Sequence, residues 1–172
     1  MERHPDAGGG IGGQDVAEVG VYKAGTAKIL CELKGDKELH LFDTFEGLPE
    51  AAIKAEDLVK SGWLSDTSEK AVSEYLNEYD NVYIHKGFFP DTSGPVNDKQ
   101  FCLVHLDVDA YQGTIDSLKF FWPRMVVGGR VIVHDYNNAD CPGVKAALEE
   151  YFEGEIFNVI DIADSQALII KY

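Results

Sequence analysis

Apolar and polar positions alternate along the chain in short blocks. From Asp15 onward, β-branched runs are separated by stretches of helical period, the pattern of βαβ units on a mainly parallel sheet. The strand candidates are Val16–Val19, Glu38–Phe42, Val82–His85, Cys102–Asp107, Arg130–Val133, Phe157–Ile160 and Ala167–Ile170. A first helix is predicted from Ala24 to Leu33, stopping at Gly35, because glycine takes the positive φ of a helix C-cap at little cost. Asp66 followed by Glu69 predicts a capping box, and Val72, Tyr75, Leu76 and Tyr79 then repeat at i, i+3, i+4, i+7. Thr114 is expected to open a helix carrying Ile115 and Leu118 that Pro123 ends, and Pro142 to start one reaching about Phe152. The segment from Glu50 to Leu64 reads as a short helix plus loop, placed after the second strand where it can overhang a ligand.

These elements predict an α/β fold: a doubly wound, seven-stranded, mainly parallel sheet with a terminal antiparallel hairpin. A chain of 172 residues suits one domain. That domain is expected to run from Asp15 to Tyr172, behind a flexible Gly-rich leader from Met1 to Gln14. Thirty acidic against 15 basic residues give a net charge of −15, a field that disfavours a nucleic-acid partner or an anionic membrane surface. No apolar run approaches the roughly 20 residues of a membrane-spanning helix. Cys31, Cys102 and Cys141 stand far apart with no CxxC pair, which points to a reducing, cytoplasmic setting.

In doubly wound sheets ligands bind at the C-terminal strand ends, so the chemistry is sought there. After strand one the chain reads Glu18-Val19-Gly20-Val21-Tyr22-Lys23-Ala24-Gly25-Thr26. Gly20 and Gly25 let the backbone approach a ligand, yet the spacing is neither the dinucleotide GxGxxG nor a P-loop. Glu18 suits a ligand with a cationic amine, and a tight turn requiring small residues explains the same motif equally well. Asp43, in Phe42-Asp43-Thr44-Phe45-Glu46-Gly47-Leu48-Pro49, can accept hydrogen bonds from the two hydroxyls of a ribose. Gly87 and Phe88 could frame an adenine. Strand four ends in Asp107-Val108-Asp109, whose carboxylates at i and i+2 share a face, and strand five adds His134 and Asp135. Like charges so close call for a cation or proton between them, and carboxylate oxygens suit Mg²⁺, Ca²⁺ or Mn²⁺. Solvated acids at strand ends are the plainer alternative. His105, inside a strand, reads as a packed or hydrogen-bonded core residue.

Taken together, the segments Asp15–Tyr22, Leu41–Pro49, Gly87–Thr92, His105–Tyr111 and Gly128–Tyr136 resemble the macrocin O-methyltransferase family of S-adenosylmethionine-dependent sugar O-methyltransferases. The resemblance implies a Rossmann-like class I methyltransferase fold with S-adenosylmethionine across strands one to four. Glu18, Gly20, Tyr22 and Gly25 would surround its methionine part, Asp43 and Thr44 its ribose, and Gly87 and Phe88 its adenine, with Asp107 close by. It also implies a Mg²⁺ ion held by Asp107, His134 and Asp135, Asp109 as general base, a hydroxylated small molecule as acceptor, and self-association into a homo-oligomer. His134 stands where the family usually has an acid, and members usually carry helices ahead of strand one. Two other classes remain open on the residues: a cofactor-binding protein without catalysis, and a glycosyltransferase using Asp107 and Asp109 as a metal-binding DxD.

Overall fold

The computed structural model describes residues 14–55, 57–155, 157–162 and 165–172. The leader assigned to Met1–Gln14 therefore lies, apart from Gln14, outside the described residues. The elements run β1 (Asp15–Val19), α1 (Gly25–Leu33), β2 (Leu39–Asp43), α2 (Glu69–Tyr75), β3 (Val82–Lys86), β4 (Phe101–Leu106), α3 (Tyr111–Phe121), β5 (Met125–Val133), α4 (Pro142–Tyr151), β6 (Val159–Asp161) and β7 (Ala167–Ile170), with short 3₁₀ turns between some of them.

The seven strands form one sheet in the order β3-β2-β1-β4-β5-β7-β6. β1 to β5 pair in parallel, and β7 inserts antiparallel between β5 and β6. The expected doubly wound sheet with an antiparallel end is what is observed. The strand order reverses between β1 and β4, the position at which such sheets open a crevice. Period-two alternation then divides the core. Ala17, Val19, Phe42, Val104, Leu106 and Val131 pack with α3 and α4 on one face. Val16, Leu39 and Leu41 pack with Ala27 and Leu30 of α1, Val72 of α2 and the following Leu76 on the other.

Several boundaries differ from those expected, the helical ones for tertiary reasons. Ser68, not Asp66, caps α2, its side chain accepting from the Ala71 amide at 3.2 Å. Asp66 is drawn away by the Lys23 ammonium and the Tyr22 hydroxyl. α2 stops at Tyr75, and Tyr79 lies in the following turn, where its hydroxyl reaches Glu32 of α1. α3 begins at Tyr111 rather than Thr114, because the Asp57 carboxylate, 54 residues away in sequence, accepts from the Tyr111 amide at 3.3 Å. Thr114 lies within the first turn, donating to the Ala110 carbonyl. β5 starts five residues before Arg130 and shifts register against β4 between Phe101 and Leu103. β6 falls at Val159–Asp161 instead of Phe157–Ile160.

Candidate active site

The parallel ladders end on one rim. The Gly20 amide donates to Phe42 O, Gly87 to Asp43 O, Asp107 to Val19 O and His134 to Leu106 O, all at 2.8–2.9 Å. Beyond these bonds the chains diverge and frame an open cleft. Its lining includes Gly20, Tyr22, Asp43, Thr44, Gly87, Phe88, Asp107 and Asp109 of the expected site. Glu18, Gly25, His134 and Asp135 are not among its lining residues: Glu18 is buried, Gly25 is exposed, and His134 and Asp135 group with the lining residue Asp107. Gly25, the first residue of α1, has open space around it.

The rim depends on close backbone approach. Gly20 has φ +85°, and a Cβ there would lie 1.8 Å from the Asp107 carbonyl oxygen, so β1 can turn over β4 only with glycine. Gly47, at φ +83°, is pressed in the same way against the backbone of Gly62 and Trp63. Non-glycine residues in the left-handed region cluster at the same rim: Tyr22, Ala24, Phe45, Asp109 and Asp135 have φ between 49° and 63°. Such conformations cost on the order of 1–3 kcal/mol each and persist where surrounding structure over-determines them.

Asp43 supplies part of that determination. Its Oδ2 accepts from the Val21 and Tyr22 amides at 2.7 and 2.8 Å, and its Oδ1 from the Phe45 amide at 2.6 Å. One carboxylate thus ties the β1 turn to the β2 turn and uses three of its roughly four acceptor positions. The Thr44 hydroxyl is committed to its own turn, donating to Gly47 O at 2.8 Å.

Glu18 is 1% exposed and lies opposite His105 in the β1–β4 register, with Oε1 3.0 Å from His105 Nδ1. Its Oε2 is buried without a hydrogen-bond partner. Burial pushes the carboxyl up to about 7, against the pull of His105.

Next to the cleft, Asp107, His134 and Asp135 bring one oxygen or nitrogen ligand atom each to within 4.8 Å of the others. His134 Nδ1 is 2.7 Å from Asp135 Oδ2 and 3.2 Å from Asp107 Oδ1. The hydrogen bond to Asp135 and the surrounding acids raise the imidazole to about 9 despite burial. Burial opposes ionisation of Asp135, yet hydrogen bonds from His134 and Asn138 prevail and hold it below the usual range. Asp109, hydrogen-bonded to Asp135, goes the other way: burial, then the Asp107 and Asp135 charges, lift it to about 7. One of two neighbouring acids is thus ionised while the other keeps its proton near neutrality, the asymmetry that acid–base chemistry uses.

The other wall of the cleft comes from the segment after β2, as its position in the sequence predicted. Leu48, Pro49, Ala52, Trp63 and Leu64 line it, with Trp63 49% and Leu64 40% exposed. Large apolar side chains left in water beside a cleft mark a binding surface. The segment is anchored by Asp57, which is buried, accepts from the Lys54 and Tyr111 amides, and lies against Gly143 of α4. Sequence reasoning placed the Glu50–Leu64 segment over the ligand without singling out Asp57 or Trp63 within it. An apolar Trp63-Leu64 pair inside a polar loop was the available signal.

Comparison with known proteins agrees with this geometry. A family model described as macrocin O-methyltransferase (TylF) matches residues 8–168. The chain belongs to the macrocin O-methyltransferase family. It is 28% identical over 152 residues to the demethyldecarbamoylnovobiocin O-methyltransferase of Streptomyces niveus, covering 80% of this chain and 57% of that protein. It is 30% identical over 156 residues to the mycinamicin III 3″-O-methyltransferase of Micromonospora griseorubida, covering 80% of this chain and 59% of that protein. The chain thus spans less than two thirds of the length of these curated relatives. Among solved structures, the O-methyltransferase NovP superposes with a TM-score of 0.77 at 28% identity, over 92% of this chain and 72% of that one. The calicheamicin methyltransferase CalS11 superposes at 0.75 and 18% identity, over 93% and 72%, a likeness of fold. Among the described residues, no helix is long and apolar enough to cross a membrane.

Proposed function

We propose that this chain transfers the methyl group of S-adenosylmethionine to a hydroxyl of a small molecule, with a sugar or glycoside as the acceptor class. The observation that carries the reading is Asp109: a carboxyl raised to about 7, on the wall of the same cleft that Gly20, Asp43, Gly87 and Phe88 line. A bound S-adenosylmethionine would supply an electrophilic methyl group on sulfur. Gly20 lets the β1 turn close over β4 at the rim where it would lie, Phe88 offers a flat face to its base, and the remaining acceptor position of Asp43 can take one ribose hydroxyl. Glu18, behind the turn, presents an unpaired buried oxygen and an acid character tuned by His105.

Asp107, His134 and Asp135 fit a divalent ion by their donor chemistry: two carboxylates and an imidazole converge, with no lysine or arginine among their ion pairs to the described residues. When bound, such an ion would make an acceptor hydroxyl more acidic, and the family resemblance names Mg²⁺. Asp109 then needs only hydrogen-bond reach to accept the hydroxyl proton. Trp63 and Leu64 would keep water from the reacting centre. We place this chemistry in the cytoplasm, and self-association into a homo-oligomer, which the family resemblance implies, can be read by light scattering on the same sample.

Calorimetric titration of S-adenosylhomocysteine, followed by mass spectrometry of a glycoside panel incubated with S-adenosylmethionine, tests the reading. Micromolar binding, about −8 kcal/mol, weakened in Asp43→Ala and accompanied by a gain of one methyl on a panel member, is expected. Absence of binding to the wild type would overturn it. Binding without transfer to any member would favour a cofactor-binding protein that does not catalyse.

A further inference from the structure

His134 is the one nitrogen donor in the acid group beside the cleft, and its placement is fixed by the fold. Its amide closes the β4–β5 ladder at Leu106 O, and Asp135 after it turns in the left-handed region at φ 60°. The imidazole is therefore presented to the rim, half-buried, with Nδ1 facing both carboxylates. Its spacings of 2.7 and 3.2 Å from them straddle the roughly 3 Å that separates neighbouring ligand atoms on an octahedral ion with bonds of about 2.1 Å. The same three atoms could thus act as ligands once Nδ1 gives up the proton it shares with Asp135, which an incoming cation displaces. Nitrogen among them matters because all-oxygen sets suit Mg²⁺, whereas imidazole suits first-row transition ions.

We infer that His134 makes this a mixed imidazole–carboxylate centre selective for a borderline first-row ion, such as Co²⁺, Zn²⁺ or Fe²⁺, over Mg²⁺. The inference rests on the reading of Asp107, His134 and Asp135 as ion ligands given above. A second group, Asp109, Asp135 and Cys141, shares Asp135 and offers a thiol instead. Cys141 is 1% exposed at the N-terminal end of α4, so the two groups differ in what an optical probe would report.

The experiment uses the full chain after chelator treatment. Co²⁺ binding is followed by visible d–d absorption, Mg²⁺ binding by its competition with Co²⁺, and S-adenosylhomocysteine binding by calorimetry on the same samples. In the wild type, Co²⁺ is expected to bind and Mg²⁺ to compete poorly. In His134→Asp, which makes the set all-oxygen, the Co²⁺-to-Mg²⁺ affinity ratio should fall by about tenfold or more. His134→Gln, of similar size and without the imidazole, should lower the ratio in the same direction, so a misfolded Asp variant does not decide the matter. An unchanged ratio in both variants overturns the inference. So does a near-ultraviolet thiolate-to-cobalt band that vanishes in Cys141→Ser, which would place the ion on the other group. Wild type that binds S-adenosylhomocysteine but no divalent ion overturns the inference while leaving the cofactor site standing. Ion binding with the expected ratios but no S-adenosylhomocysteine binding would instead bring down the methyltransferase reading alone.

Discussion

The two ends of the same parallel strands carry similar residues with opposite consequences. At the N-terminal edge, Asp15 and Glu38 meet His40, whose Nε2 lies 3.6 and 3.3 Å from them. At the C-terminal edge, Asp107 and Asp135 meet His134. The first group is closed by Lys99, which reaches Asp15 at 2.8 Å and Glu38 at 2.7 Å, and burial holds His40 below its usual range, favouring the uncharged ring. The second has, among the described residues, no lysine or arginine in its ion pairs, adjoins the strand-end cleft, and is bordered by left-handed residues. A fixed ammonium makes an acid cluster part of the scaffold. Leaving the charge to a titratable imidazole keeps the other cluster available for chemistry.

The contrast is sharpened most by Asp109→Asn. Removing a general base is worth about 10²–10⁴-fold, so methyl transfer should fall by that factor with S-adenosylhomocysteine affinity held within about threefold. In the proposed role of general base Asp109 acts only when ionised, and it lies at about 7, so wild-type transfer should climb as pH rises through about 7 and level off above it. A flat rate between pH 6 and 8 would remove Asp109 from the role.

A smaller effect concerns Glu18. Its folded value of about 7 exceeds the ordinary 4.5, so the native state holds a proton that the unfolded chain releases. Stability is therefore greatest below about pH 4.5 with respect to this group and declines as pH rises towards 7. At about 1.4 kcal/mol per pH unit the decline reaches at most about 3 kcal/mol. Urea titrations at several pH values should show a shallower decline in Glu18→Gln than in the wild type. Parallel curves would mean that Glu18 is ionised in the folded protein.

The smallest effect is expected at the other edge. Lys99→Met leaves Asp15 and Glu38 without their ammonium and should cost on the order of 1 kcal/mol, given that Lys99 is partly exposed. Cofactor affinity and transfer should be untouched. A loss of transfer in this variant would break the comparison, showing that the two edges are coupled.

Much of the site was legible because it follows from strand period and chain order. Asp43, Asp107, Asp109, His134 and Asp135 each stand at or just after the end of a largely apolar strand, and such strand ends fall on one rim once the strands are parallel. What stayed hidden depends on pairing at a distance. Nothing local to Glu18 announces that His105, 87 residues away, shares its register, or that this pairing removes both from the cleft lining. Asp57 carries no cap signature of its own, yet it starts α3, and Asp66, which carries one, is taken by Lys23.

By itself, then, the sequence determined the alternation of elements, the two-faced core and the row of acids on the ligand edge, because hydrophobic period and residue order act over a few neighbours. Only the tertiary structure decided which acids are neutralised and which are left poised. Charge state follows from burial and from the nearest partner, and both Lys99 beside Asp15 and His134 beside Asp107 are brought there by strand register rather than by sequence proximity.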